Sequence, residues 1–347
     1  MEEEKKLYPF KFIHIDENPA EDVHLADLGY QDSLVQNGWL SANSISEIMD
    51  MYMDRVVGEH VFNYYGRQFP VSVKYLDGSA RTPLLVHPDD EIAGQRFDFL
   101  GKAKLWYVAS AKPGAKLFLG FKEDVAAEDF YMACRHGNVE DLLNVVEPSK
   151  GDYFFIRPGL VHAASEGLVV AEIAECSPLD FRIFNWGREF EGDEFDASLN
   201  LEAAFDFIDY RKYSGSKCAP AAGDKSPALR ITDCSEFAVS LLKMRDPLHI
   251  SGEQSDSFAL YTCVSGEMSL QVKEGEGTVN YKVPAGESIL VPAEVPDFYL
   301  VPVASDTAVL ETVVEPRPEI DAYAGPDPDE SPDEDAEDYN NHIDILS

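Results

Sequence analysis

The chain is 347 residues long and 45% apolar, with 64 acidic against 28 basic residues and a formal net charge of -36. That length suits two domains with a sizeable core and no need for disulfide or metal staples. The charge repels nucleic acid and anionic membranes, and no apolar run approaches the ~20 residues a bilayer requires. The opening Met1-Glu2-Glu3-Glu4-Lys5-Lys6 lacks the apolar centre of a signal peptide, so a cytoplasmic protein with neither a nucleic-acid nor a membrane partner is expected.

In chain order, the first regular element is helical. Ser44-Ile45-Ser46-Glu47 fits a capping box, and Ile45, Ile48, Met49, Tyr52, Met53 and Val56 recur at helical spacing, predicting helix near 44–58. Val71–Leu76, Leu105–Val108 and Lys116–Leu119 read as short strands between Gly, Pro and Asp turns. Helical pattern returns over 125–146. It breaks at Gly137, resumes with Asn138 as cap and stops before Pro148. Tyr153–Ile156 is again a strand, and many short strands favour a sandwich or barrel. Asp89 and Asp90, after Pro88, are expected to close a turn rather than to catalyse. The five cysteines, Cys134, Cys176, Cys218, Cys234 and Cys263, form no Cys-x-x-Cys pair and read as buried thiols. From Glu319 to Asp338 the chain is dominated by Asp, Glu and Pro, which predicts a solvated acidic tail over 318–347; Ile343-Asp344-Ile345-Leu346 at its end could still dock on a groove.

An internal repeat narrows the fold. Gly151-Asp152-Tyr153-Phe154-Phe155-Ile156-Arg157-Pro158-Gly159-Leu160-Val161-His162 has a counterpart in Gly286-Glu287-Ser288-Ile289-Leu290-Val291-Pro292-Ala293-Glu294-Val295-Pro296-Asp297. Each opens with a Gly turn, continues as a strand, and ends on a polar residue after a Pro-containing turn. The segment resembles the second signature of cupins, jelly-roll barrels in which that last residue, usually His, points inward. The expected fold is mainly β: two cupin barrels, with a few helices on the first. Domains are expected at 1–230 and 231–317, ahead of the tail. Because the second copy carries Asp297 where the first carries His162, the site is expected in the first barrel.

Around that barrel the motifs become specific. Phe69-Pro70-Val71-Ser72-Val73-Lys74-Tyr75-Leu76-Asp77, Val86-His87-Pro88-Asp89-Asp90, Gly101-Lys102, Trp106-Tyr107, Val161-His162-Ala163, Ala171-Glu172-Ile173 and Trp186-Gly187-Arg188 occur in the order and spacing of type I mannose-6-phosphate isomerases. The resemblance runs from about Asn37 to Val301. It implies interconversion of mannose 6-phosphate and fructose 6-phosphate through an enediol, with zinc held by a Gln, two His and a Glu. By position, His87 and His162 match the two His ligands, Arg182 an active-site Arg and Lys102 an active-site Lys.

The departures are as specific. Leu85 stands in the place of the ligand Gln, Lys104 in that of the ligand Glu, Pro83 where a substrate-side Ser is usual, and Asn185 where an Asp precedes Trp186. An ammonium at the metal position repels a dication and offers no lone pair, so zinc binding that is weak or lost is expected. Lys104 joins Arg182 and Lys102 as a candidate catalytic cation. Glu172 and Glu175, three apart on one strand, lie on opposite faces, so at most one faces the barrel, as a partner for Lys104 or a replacement ligand. Three functions remain open: an isomerase with a rearranged metal site or fixed cations in place of zinc, a metal-free sugar-phosphate-binding protein, and a structural paralogue acting through its acidic tail.

Overall fold

The computed structural model describes residues 5–18, 20–188, 190–191, 194–195, 199–215, 218, 228–251, 256–275 and 277–315. The acidic tail expected over 318–347 lies outside the described residues.

Eleven strands build the first barrel: β1 (Ile15–Asn18), β2 (Glu21–Leu25), β3 (Val71–Leu76), β4 (Leu84–Val86), β5 (Lys104–Ala111), β6 (Leu117–Phe121), β7 (Leu143–Val146), β8 (Tyr153–Ile156), β9 (His162–Ala164), β10 (Leu168–Glu175) and β11 (Phe181–Phe184). They form two antiparallel sheets, ordered β1-β2-β3-β10-β5-β8 and β11-β4-β9-β6-β7. A short pair, β12 (Phe190–Glu191) and β13 (Glu194–Phe195), follows. The second barrel uses β14 (Ala228–Asp233), β15 (Ala238–Lys243), β16 (Leu248–Ser251), β17 (Ala259–Ser265), β18 (Glu267–Glu274), β19 (Gly277–Pro284), β20 (Ser288–Val291), β21 (Asp297–Pro302) and β22 (Ala308–Val313). Their orders are β14-β15-β22-β17-β20 and β16-β21-β18-β19.

The six-stranded sheet is buried on both faces, so β5 and β10 read as near-continuous apolar runs. Trp106, Val108 and Val170 face the first barrel's interior, while Leu105, Tyr107 and Ile173 join a core that continues into Phe237, Leu241, Leu260 and Leu310 of the second barrel. The N-terminal segment fastens the same seam: Phe10 and Leu290 exchange backbone hydrogen bonds of 2.7 and 2.9 Å, which extends the edge of β20. The second barrel's own interior is apolar, built from Tyr261, Met268, Leu270, Ile289, Phe298 and Leu300. Asp297 is not inside it. The residue is exposed and ion-paired with His249 Nε2 at 2.8 Å, because β21 begins there at the barrel's rim.

The helices refine the sequence expectations. The capping box at Ser44 and Glu47 forms as expected and starts α1 (Ile45–Tyr52). The helix then breaks at Met53, whose φ is 47°, and resumes as α2 (Asp54–Val57) and α3 (Glu59–Tyr65). α4 (Asp90–Phe97) is an addition: Asp89 is its N-cap, accepting from the Ile92 amide at 2.9 Å, so these acidic residues start a helix rather than close a plain turn. α5 (Ala127–His136) ends on Gly137 in a left-handed C-cap. The helix expected from Asn138 to Val146 is instead one 3-10 turn, Val139–Leu142, followed by β7. The two valines suit an edge strand, and pairing with β6 satisfies a backbone that four more helical residues would leave poorly covered. A last short helix, α6 (Leu201–Ala204), packs near β11. Cys134, Cys176 and Cys263 are buried as expected. Cys218 is exposed, and Cys234, in the segment after β14, is half-buried against the edge of the shared core.

Candidate active site

Strand register assembles the polar side chains. On β10, Glu172 pairs with Lys74 of β3 and with Trp106 of β5, and two residues away Ala174 pairs with Lys104. With side chains alternating, Lys104, Trp106, Glu172 and Lys74 share the inward face, and Glu175 falls on the other. In the facing sheet, Leu85 of β4 sits between His162 of β9 and Arg182 of β11. His87 follows β4, and Asp180 precedes β11. The indole N–H of Trp186 donates to the Thr82 carbonyl at 2.6 Å, which pins the end of β11 to the start of β4.

Of the five expected site residues, His87, His162, Lys102 and Lys104 gather around Asp180, and Arg182 lies with Lys102 on the wall of the adjoining cavity, which His87, His162 and Lys104 do not line. His87, His162 and Lys104 are fully buried, and Lys102 nearly so. Lys104 Nζ donates to Asp180 Oδ1 at 2.6 Å, lies 3.3 Å from His162 Nε2 and stands 3.8 Å from Glu172 Oε2. Lys102 Nζ donates to Asp180 Oδ2 at 2.9 Å and to the Ser177 carbonyl at 2.7 Å. Glu172 accepts from the Trp106 indole at 2.6 Å and pairs with Lys74 at 3.4 Å. Lys102, Arg182 and Leu85 line a cavity of about 190 Å³ together with Glu21, Tyr30, Gln31, Lys74, Glu172 and Asp180. That is below the usual 300–1,000 Å³ of ligand pockets and suits a small polar ligand.

Asp180 was missed by sequence reasoning, although it carries most of the electrostatics. It lies in Ser177-Pro178-Leu179-Asp180, which reads as a turn. The available signal was charge balance, since a lysine at a buried ligand position demands a carboxylate nearby. Burial alone would raise the pKa of Asp180, but Lys102 and then Lys104 hold it well below the usual carboxylate range. Burial likewise works against ionised Glu172, yet Lys104 and Lys74 bring it down to about 2. For Lys104, burial lowers the pKa while Asp180 and Glu172 oppose the change; for Lys102, burial again lowers it, but Asp180 and Glu172 together outweigh burial and the pKa is raised.

The histidines are held neutral. Burial, then the Lys104 charge, lowers His162 to about 3 and His87 well below its ordinary value. His162 Nδ1–H donates to the Leu160 carbonyl at 2.8 Å, which turns the Nε2 lone pair toward Lys104. Neither ring nitrogen of His87 has a hydrogen-bond partner among the described residues. His87, His162 and Asp180 each offer a donor atom within 4.8 Å of the others, a spacing one metal ion could span. Lys104 is hydrogen-bonded to two of the three.

A family model described as mannose-6-phosphate isomerase, cupin domain, matches residues 229–304. Mannose-6-phosphate isomerase ManA of Bacillus subtilis is 23% identical over 271 residues, covering 77% of this chain and 82% of that protein. The chain is thus similar to mannose-6-phosphate isomerases over most of its length. A second Bacillus subtilis protein, described as probable mannose-6-phosphate isomerase GmuF, is 29% identical over 179 residues, and the match spans about half of that protein (54%). The crystal structure of the mannose 6-phosphate isomerase from Bacillus subtilis superposes with a TM-score of 0.74 over 88% of this chain and 99% of that chain, at 18% identity, a likeness of fold. The matched family model falls on the barrel with the apolar interior, whereas the cluster of lysines, histidines and carboxylates lies in the other barrel.

Proposed function

We propose that the first barrel is a sugar-phosphate site of mannose-6-phosphate isomerase type, in which the Lys104 ammonium takes the place of a metal. The observation that carries this reading is the position of Lys104 Nζ, hydrogen-bonded to Asp180 and beside His162, two of the three side chains that could otherwise hold an ion. A dication within a few ångströms of an ammonium is repelled, and Leu85 supplies no oxygen on the opposite wall. The residues present therefore do not fit zinc while Lys104 is protonated. Zinc binding is weak or absent in this reading.

The same cations suit the chemistry. Aldose–ketose isomerisation moves a proton from C2 to C1 and another from O2 to O1, through an enediolate whose negative charge must be stabilised. Lys102 and Arg182 on the cavity's walls, with Lys104 buried behind the lining residues Asp180 and Glu172, supply fixed positive charge for that purpose. Arg182 is also suited to paired contacts with phosphate oxygens.

A second reading, sugar-phosphate binding without turnover, draws on the two interior carboxylates. Asp180 and Glu172 are so stabilised as anions that they are weak proton acceptors. One experiment separates the readings: chelator-treated protein is assayed for interconversion of mannose 6-phosphate and fructose 6-phosphate in deuterated water, alongside calorimetric binding of both sugars and the Arg182→Ala variant. Metal-free turnover with deuterium incorporation supports the first reading, and binding without turnover the second. Turnover that disappears with the chelator and returns with zinc would overturn the place given to Lys104.

A further inference from the structure

A second cluster of metal-binding side chains lies at the seam between the barrels, outside the sugar-phosphate site and independent of that reading. Asp22 and His24 alternate on β2 and share a face. The antiparallel pair Ile15–Val23 brings His14, one residue before β1, opposite His24. The two imidazoles stack with centroids 4.0 Å apart and planes 18° apart. We infer that His14, Asp22 and His24 form a binding site for a divalent transition-metal ion that fastens the N-terminal hairpin to the second barrel.

The donor distances and the donor chemistry agree on this, and the stacked rings need only tilt apart for both in-plane lone pairs to reach one ion. One carboxylate oxygen, Asp22 Oδ2, meets His14 Nδ1 at 3.1 Å and His24 Nε2 at 3.4 Å, and the three donor atoms lie within 4.8 Å of one another. Two donors bound to a tetrahedral ion at ~2.1 Å stand ~3.4 Å apart, so two of the three spacings already suit a shared ion. The other carboxylate oxygen, Asp22 Oδ1, is buried with no hydrogen-bond partner among the described residues, a cost that a cation on the same carboxylate offsets.

The second barrel supplies the supporting groups. Ser288 Oγ lies 2.9 Å from His24 Nδ1, and accepting the Nδ1 proton turns the Nε2 lone pair toward Asp22. Glu287 Oε2, 3.7 Å from His14 Nε2 and 3.4 Å from Lys11 Nζ, adds negative charge at the rim. Two imidazoles with one carboxylate select zinc, nickel or copper over magnesium or calcium. His14 and Asp22 are partly exposed, which gives an ion a way in.

The test uses the full chain stripped with a chelator, titrated with zinc by calorimetry and with cobalt followed by its visible spectrum. The expected result is one zinc per chain and a melting temperature several degrees higher with the ion bound. His14→Ala and the near-isosteric Asp22→Asn should each weaken zinc binding by at least about tenfold. His87→Ala should leave it unchanged. If metal-free His14→Ala melts far below the wild type, Asp22→Asn carries the comparison. No zinc uptake by the wild type would overturn the inference, as would uptake lost in His87→Ala but kept in both hairpin variants. The latter outcome would also place the ion in the first barrel, against the role given to Lys104.

Discussion

Lys104 and Asp180 form a buried ion pair of 2.6 Å between the first residue of β5 and the residue preceding β11, joining the two sheets of the first barrel through its interior. Removing one partner of such a pair leaves the other charged and uncompensated, which typically costs 3–5 kcal/mol. Asp180→Asn is therefore expected to destabilise the protein by about that amount, because Lys102 and Lys104 lose a shared anion together. Urea unfolding of wild type and variant measures it. A loss below about 1 kcal/mol would mean that Glu172 and water suffice for both lysines.

Lys104→Glu should invert the site's preference. Without metal, the new carboxylate faces Asp180 and Glu172, so the metal-free variant should melt well below the wild type. With zinc it joins His87, His162 and Asp180 as a donor. Zinc affinity in the first barrel should rise by orders of magnitude, with a zinc-dependent gain in melting temperature. Calorimetry on a His14→Ala background isolates this effect from the seam. Equal zinc affinity with and without the substitution would show that Lys104 does not govern the site.

Acid should destabilise the protein well above the pH at which its carboxylates titrate. The folded-state pKa values of His87 and His162 are depressed, the latter to about 3, whereas an unfolded histidine titrates near 6.5. Below about pH 6.5 the unfolded chain binds these protons and the folded chain does not, so stability is lost progressively as pH falls toward 3. Glu172, at about 2 in the folded state, adds its own loss below about pH 4.5. His87→Leu should reduce the slope by one proton, about 1.4 kcal/mol per pH unit. At neutral pH it should leave stability unchanged or raise it by ~1 kcal/mol, since the imidazole it replaces has no hydrogen-bond partner among the described residues. Denaturation midpoints at a series of pH values report both effects.

Gly101→Ala tests how Lys102 is placed. A methyl group at Gly101 would lie 2.4 Å from the backbone of Asp89 and Asp90, so the start of α4 or the approach to β5 must shift. Because Lys102 is the next residue, sugar-phosphate affinity should fall by about tenfold or more, beyond any loss of stability. Binding measured well below the melting temperature separates the two. Unchanged affinity would show that Lys102 does not contact the ligand.

The resemblance blocks and the repeat were enough to assign His87, His162, Lys102, Lys104 and Arg182 to one barrel, because His162, Lys104 and Arg182 stand on strands whose alternation fixes their faces and His87 and Lys102 lie within two residues of a strand end. Asp180, Tyr30 and Gln31 were not legible. They stand in irregular segments without periodicity, and their relation to the lysines is one of distance in space. α4 was hidden because Asp90-Glu91-Ile92-Ala93-Gly94-Gln95-Arg96-Phe97 has few apolar residues and only Ala93 is buried. The strand at Leu143–Val146 escaped because four residues are too few for periodicity to separate strand from helix.

The six-stranded sheet has a consequence for any attempt to study the barrels apart. Its inner face presents Lys104 and Glu172 to the site, while Leu105 and Ile173, their immediate neighbours, are buried in the core shared with the second barrel. Cutting the chain between the barrels would wet that shared core and leave the edge of β20 without Phe10, a bare strand open to pairing with other chains. It would also slacken the wall on which the polar cluster is mounted. Solubility and ligand affinity would then be lost together, and the loss of affinity would arise with every residue of the site still in its place in the sequence.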